Sequence, residues 1–116
     1  MSLITGLIGK NIKGIRKEKK LTQEDLAEKC DLQTSYLAGV ERGERNITLQ
    51  TLEKIAKGLD ESPEYIFNFD KINIDEDFLS VKEQIAVITS LLSKREPKEV
   101  ELILNITQNI FDTYKK

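Results

Sequence analysis

The 116-residue chain has no histidine, no tryptophan, one cysteine and two prolines. Without imidazole it lacks the side chain best suited to acid–base catalysis near neutral pH and the commonest metal ligand, and a single thiol cannot form an intramolecular disulfide. Enzymatic chemistry is therefore not expected, and the composition calls for no metal and no cofactor. Cys30 stands where a short helix should end, a place suited to a small buried apolar side chain. A packed thiol is the plainer expectation there, with a reactive or redox-sensing thiol as the alternative. Long apolar runs are missing too. The longest, such as residues 85–88 and 102–104, fall far short of the roughly 20 residues that span a bilayer. No signal-peptide pattern opens the chain, so a cytoplasmic protein with no membrane partner is expected.

What is present is the composition of an ordinary soluble domain, with 39% hydrophobic and 33% charged residues. The formal charge of −2 hides an asymmetry: residues 1–68 carry eleven basic and eleven acidic side chains, whereas residues 69–116 carry seven and nine. Within the first part, Lys10, Lys13, Arg16, Lys17, Lys19 and Lys20 face only Glu18. Local potential governs association with a polyanion more than total charge does. Ile8, Ile12 and Ile15 recur at helical spacing, so residues 6–20 form an amphipathic helix with a basic outer face.

Residues 21–43, LTQEDLAEKCDLQTSYLAGVERG, spell two short helices joined by a tight turn, the layout of a helix-turn-helix. Thr22 is the expected N-cap of the first, followed by Gln23, Glu24 and Asp25, whose carboxylates suit the positive end of a helix dipole. Leu26 and Ala27 then turn inward. The second helix should span residues 33–42, with Leu37 and Val40 inside and Gln33, Thr34, Ser35, Ala38 and Gly39 outside. In a helix-turn-helix that outer face meets base edges in the major groove. Thr48 caps a fourth helix with Leu49, Leu52, Ile55, Ala56 and Leu59 inward. Ser62-Pro63 starts a fifth, because proline at the first helical position sacrifices no intrahelical bond. It should run to about Asn68, with Tyr65, Ile66 and Phe67 closing the core.

Residues 69–75, FDKINID, read as a connector, and the cluster Asp75, Glu76 and Asp77 as a helix cap in preference to a metal site. Beyond it, Phe78, Val81, Ile85, Ile88 and Leu92 form one apolar stripe. After Glu96-Pro97 a second stripe holds Val100, Ile103, Ile106, Ile110 and Tyr114, and the pair predicts a helical hairpin. Leu79, Leu91, Leu102, Leu104 and Phe111 widen the apolar surface beyond what two helices can hide, which marks an interface. The glycines of GLIGKNIKG lack the strand-then-GxGxxG context of a nucleotide loop.

Over residues 9–67 the chain resembles the Cro/C1-type, xenobiotic-response-element-like helix-turn-helix regulators. The resemblance rests on IGKNIKGIRKEKKLTQEDLAEK, on SYL, on ERGERN and on TLEKIAKGLDESPEYIF. It implies base contacts from Gln33, Thr34, Ser35, Ala38 and Gly39, and phosphate contacts from Gln23, Tyr36, Arg42, Arg45 and Asn46. It further implies that Gln23 braces the recognition helix and that Arg16 and Glu41 form a structural ion pair. Two departures stand out: Asp31 occupies the turn position where the family usually has glycine, and Ala38-Gly39 puts no long side chain on the second turn of the recognition helix. Base contacts would then fall to Gln33, able to pair with an adenine, and to Thr34 and Ser35, with DNA shape and phosphate positioning supplying much of the selectivity.

The resulting expectation is an all-α chain, with a five-helix lambda-repressor-like DNA-binding domain at 4–69 and a two-helix hairpin at 70–116. The hairpin would make a homodimer through Phe78, Val81, Ile85, Ile88, Leu92, Ile103, Ile106, Ile110 and Phe111. The partners are double-stranded DNA and a second copy, and the function is that of a regulator, repressor before activator. The alternative is an antitoxin or other protein-binding module on the same fold.

Overall fold

The computed structural model describes residues 3–69 and 79–114, which contain seven helices and no strand. Helix α1, Leu3–Glu18, begins three residues before the predicted start. It stops two residues short of the predicted end because Lys20 enters the left-handed region with φ 61°, while the Leu21 amide donates to the Arg16 carbonyl at 3.1 Å. Leu7, Ile8, Ile12 and Ile15 lie on its buried side.

Helix α2, Gln23–Cys30, starts in a reciprocal capping box: the Thr22 hydroxyl accepts from the Asp25 amide and the Asp25 carboxylate accepts from the Thr22 amide, both at 3.0 Å. Asp31 ends it at φ 57°, ψ 46°, so the position where the family favours glycine is indeed left-handed and Asp tolerates it. Helix α3, Thr34–Glu41, follows with Gln33 as its N-cap and not as its first helical residue. Thr48 caps α4, Leu49–Gly58, through its hydroxyl. Helix α5, Pro63–Ile66, carries its proline at the start as expected but is shorter than predicted.

These five helices enclose one core in which Ile12, Leu26, Leu37, Ile55, Leu59 and Ile66 are fully buried. Leu49, assigned to the inner face of α4, is instead 76% exposed, since at the first helical position it still lies outside the packed layer. Phe67 is likewise half-exposed, and Ile66 closes the core in its place. Cys30 is buried against Gly58 and Leu26, where a Cβ on Gly58 would collide with its sulfur. Burial pushes the thiol pKa up, the environment of a packed thiol.

Helix α6, Val81–Ser93, is capped by Ser80 and Glu83 in a second capping box. Phe78 and the acidic cluster Asp75, Glu76 and Asp77 lie outside the described residues. Helix α6 packs on α1, where Leu79 and Val87 join Leu7 in a small second core. Helix α7, Pro97–Thr113, buries no residue at all.

The two C-terminal helices expected from the sequence are both present, joined by a turn at residues 94–96. Helices α6 and α7 share no extensive packed face, and the molecule measures 55 Å along its long axis against 28 and 25 Å across. The reason is visible in α6. Its buried residues, Glu83 and Val87, belong to the side that α1 covers, leaving the Val81, Ile85 and Ile88 stripe open.

Candidate DNA interface

The recognition helix is fixed from behind by a polar network. Arg16 in α1 donates from Nε to Glu41 Oε2 at 2.7 Å and from a terminal guanidinium nitrogen to Oε1 at 3.0 Å. Its other terminal nitrogen donates to the Leu21 carbonyl at 2.8 Å. Gln23, at the start of α2, donates to the same Glu41 Oε1 at 2.9 Å. The Arg16 and Glu41 side chains are only 9% and 2% exposed. Both oxygens of Glu41 are thereby satisfied inside the protein, so one carboxylate ties α1, α2 and the end of α3 together. The structure thus brings Arg16, Glu41 and Gln23 together in one buried network.

Close approach of α1 to α3 is a condition of this network. A Cβ on Gly9 would press on the carbonyl oxygens of Val40 and Glu41, so glycine lets the two helices cross almost backbone to backbone. Asn11, buried two residues later, donates its amide to the Asn68 carbonyl at 3.1 Å and to that of Ile66, closing the end of α5 against α1.

The front of α3 is open. Gln33, Thr34 and Ser35 are exposed at its N-terminal end, and Ala38 is half-buried. Gly39 differs from the expectation: it is buried, because the Arg45 side chain folds back over it, with Cγ 3.0 Å from where a Cβ would stand. Helical periodicity places Gly39 on the outer face but cannot show that a side chain six residues later covers it. The same Arg45 guanidinium lies 5.7 Å from the centre of the Tyr36 ring, a cation–π distance. Tyr36 and Arg45 therefore form one surface element beside the first turn of α3.

Arg42, the C-cap of α3, donates to the Glu44 carboxylate at 3.0 and 3.1 Å in an exposed pair. The hydrogen bond from Arg42 lowers the Glu44 pKa. Asn46 is exposed in the same loop, which turns at Gly43 with φ 76°.

Not every lysine of the basic first helix is turned to solvent alone. Lys10 bonds both oxygens of Glu83 in α6 at 3.0 and 2.9 Å, and Lys19 lies 3.5 Å from Glu61. The Lys10–Glu83 pair escaped sequence reasoning because 73 positions separate its members. A local signal did exist: Ser80-x-x-Glu83 is a capping-box pattern that places α6 and turns the glutamate toward its start.

Five helices with a braced third helix, an open polar N-terminal end and a basic loop after it define a helix-turn-helix DNA-binding domain. A family model described as helix-turn-helix matches residues 12–66, and the chain belongs to the Cro/C1-type helix-turn-helix family of DNA-binding transcription regulators. It is 56% identical over 52 residues to an immunity repressor protein of Bacillus phage phi105, an alignment covering 45% of this chain and 36% of that one. Against the control protein C.BamHI of Bacillus amyloliquefaciens the identity is 40% over 67 residues, 57% of this chain and 83% of the relative.

Among solved structures, the controller protein C.Esp1396I bound to a 25 base pair operator site matches with a TM-score of 0.55 and 45% identity, covering 58% of this chain and 88% of that one. The chain thus spans about a third of the phage repressor's length and most of the two controllers'. The matched family segment ends in α5, so α6 and α7 lie beyond it. No helix among the described residues is long and apolar enough to cross a membrane.

Proposed function

We propose that this chain binds an inverted-repeat operator as a homodimer and regulates transcription in the cytoplasm, as a repressor before an activator. The observation that carries this is the combination of an exposed Gln33-Thr34-Ser35 end on α3 with the buried Arg16–Glu41–Gln23 network behind it. A helix held this firmly presents base-contacting side chains in one geometry, so little ordering entropy opposes binding.

Gln33 is suited to a bidentate contact with adenine and Thr34 to the methyl of thymine. The Ala38 and Gly39 positions add only close van der Waals approach, Gly39 doing so only if Arg45 moves aside. Gln23, Tyr36, Arg42, Arg45 and Asn46 supply the sequence-independent grip on phosphates. Residues 4–69 are the DNA-binding part and residues 70–116 the self-association part. The similarity to a controller solved on its operator and to a phage repressor supports this assignment. Repression is the simplest outcome because occupying an operator needs no contact with polymerase.

Footprinting of the purified protein on the DNA upstream of its own gene tests the proposal. Two protected half-sites related by a two-fold axis are expected. Uniform weak protection, or none, would contradict it.

A further inference from the structure

Helices α6 and α7, with the C-cap residue Tyr114, leave eleven large apolar side chains exposed, among them Val81 at 71%, Phe111 at 64% and Tyr114 at 78%. Covering them removes on the order of 1,000 Å² of surface per chain, against roughly 800 Å² per partner in a standard interface and about 300–600 Å² for the largest patch on a typical monomer. On α7 the residues Ile103, Leu104, Ile106, Ile110, Phe111 and Tyr114 make a band wider than a two-stranded coiled-coil seam, so a single opposing helix does not cover it.

The same surface is almost free of charge. Residues 84–93 contain no charged side chain, and residues 100–111 contain only Glu101. A face of this kind offers nothing to a phosphate backbone or an anionic bilayer, and it meets its own image without like-charge repulsion.

From this we infer that α6 and α7 form an exchanged four-helix cluster with a second copy, in which α7 of one chain lies along the open Val81, Ile85 and Ile88 face of the other chain's α6. The inference rests on the homodimer proposed above and specifies how that dimer is built. Three features of the chain set the arrangement. Helix α6 is anchored to the DNA-binding domain by Leu79, Val87 and the Lys10–Glu83 pair, so its open face points outward from a fixed position. Helix α7 leaves the short turn at residues 94–96 without extensive packing on its own α6 and buries none of its residues, which keeps its apolar band available. The two helices are also similar in length, about 20 Å and about 26 Å at 1.5 Å per residue. In a two-fold pair the exchange happens twice, and the two α7 helices cover what remains of each other's band.

The test uses the full chain. Sedimentation at micromolar concentration should show a dimer. Two singly substituted proteins, Ile85→Cys and Ile106→Cys, mixed and treated with a short bis-maleimide, should give a covalent heterodimer through two thioether bonds, while the native Cys30 is buried and silent. Because α7 buries nothing within its own chain, Ile106→Glu together with Ile110→Glu should weaken dimerisation more than 10-fold and leave the melting of the helix-turn-helix core unchanged.

A dimer that yields no α6-to-α7 cross-link between chains would overturn the exchange while leaving the homodimer intact. The same holds if a chain carrying both Ile85→Cys and Ile106→Cys cross-links only within itself, or if the Glu variant remains a dimer. A monomeric wild-type chain, including one that binds an unrelated apolar helix, would overturn both.

Discussion

Arg16 on the first helix and Glu41 on the last turn of the recognition helix meet through two hydrogen bonds of 2.7 and 3.0 Å in a site nearly closed to water. The carboxylate also receives Gln23, so three helices depend on one charge. Glu41→Ala strands the guanidinium in that site, and removing one partner of a buried pair costs about 3–5 kcal/mol. The expected result is a clearly lowered melting temperature, with loss of DNA binding following from loss of the folded state. Glu41→Ala melting like the wild type would show that the pair holds nothing together.

Arg45 and Arg42 should differ although both are basic and exposed. Arg42 is already engaged with Glu44, whereas Arg45 rests on Tyr36 beside the first turn of α3. Replacing Arg45 by Ala should lower the slope of log affinity against log salt by about one unit on specific and random DNA alike. Replacing Arg42 should reduce the slope less, since part of its charge is neutralised before DNA arrives. Titration of binding at four or five salt concentrations separates the two, and an unchanged slope for Arg45→Ala would place that side chain away from phosphate.

Two glycines on the first helix predict opposite responses to the same substitution. Nothing lies within 4 Å of a Cβ added to Gly14, so Gly14→Ala should gain about 0.4–1 kcal/mol through a less flexible unfolded chain. At Gly9 the new methyl meets backbone carbonyls of α3, which cannot swing away as a side chain can. Overpacking of that kind costs about 1–3 kcal/mol, and Gly9→Ala should melt below the wild type. Chemical denaturation of both variants decides the matter, with equal stability for the two contradicting the close α1–α3 crossing.

Acid should release α6 before it unfolds the core. Burial by itself would raise the Glu83 pKa, but hydrogen bonds from the Ser80 amide and the Lys10 ammonium, with the charge of Lys10, carry it below the ordinary glutamate value. A carboxyl lowered in the folded state contributes stability that is complete above its unfolded pKa and is lost as the pH falls through the lower native one. The protection of α6 amides, relative to their intrinsic exchange rates at each pH, should therefore fall below the ordinary glutamate range, and Glu83→Gln should show lowered protection already at neutral pH. Protection of α6 that is indifferent to both changes would mean the pair does not anchor it.

The helix-turn-helix was legible because its determinants are local. Thr22 and Asp25, three apart, mark the start of α2, and Ile8, Ile12 and Ile15 trace the buried side of α1. Asp31 could be assigned to the left-handed turn from the family's preference for glycine there. What the sequence left open depended on contacts between distant segments. Periodicity shows that α6 and α7 each have an apolar face, yet it cannot say that α1 takes the Val87 side of α6 and that α7 remains uncovered. The folding of Arg45 over Gly39 and the capture of Lys10 by Glu83 are side-chain choices with no periodic signature.

The most direct test of sequence-specific operator recognition is to select binding sites for the wild-type protein from random duplex DNA and compare it with Gln33→Ala on the selected site and on random DNA. The account predicts a two-fold symmetric site with half-sites about ten base pairs, or ~34 Å, from centre to centre. It also predicts that Gln33→Ala loses about 1–3 kcal/mol on that site and little on random DNA. Selection that yields no common sequence, or equal losses on both kinds of DNA, would contradict it.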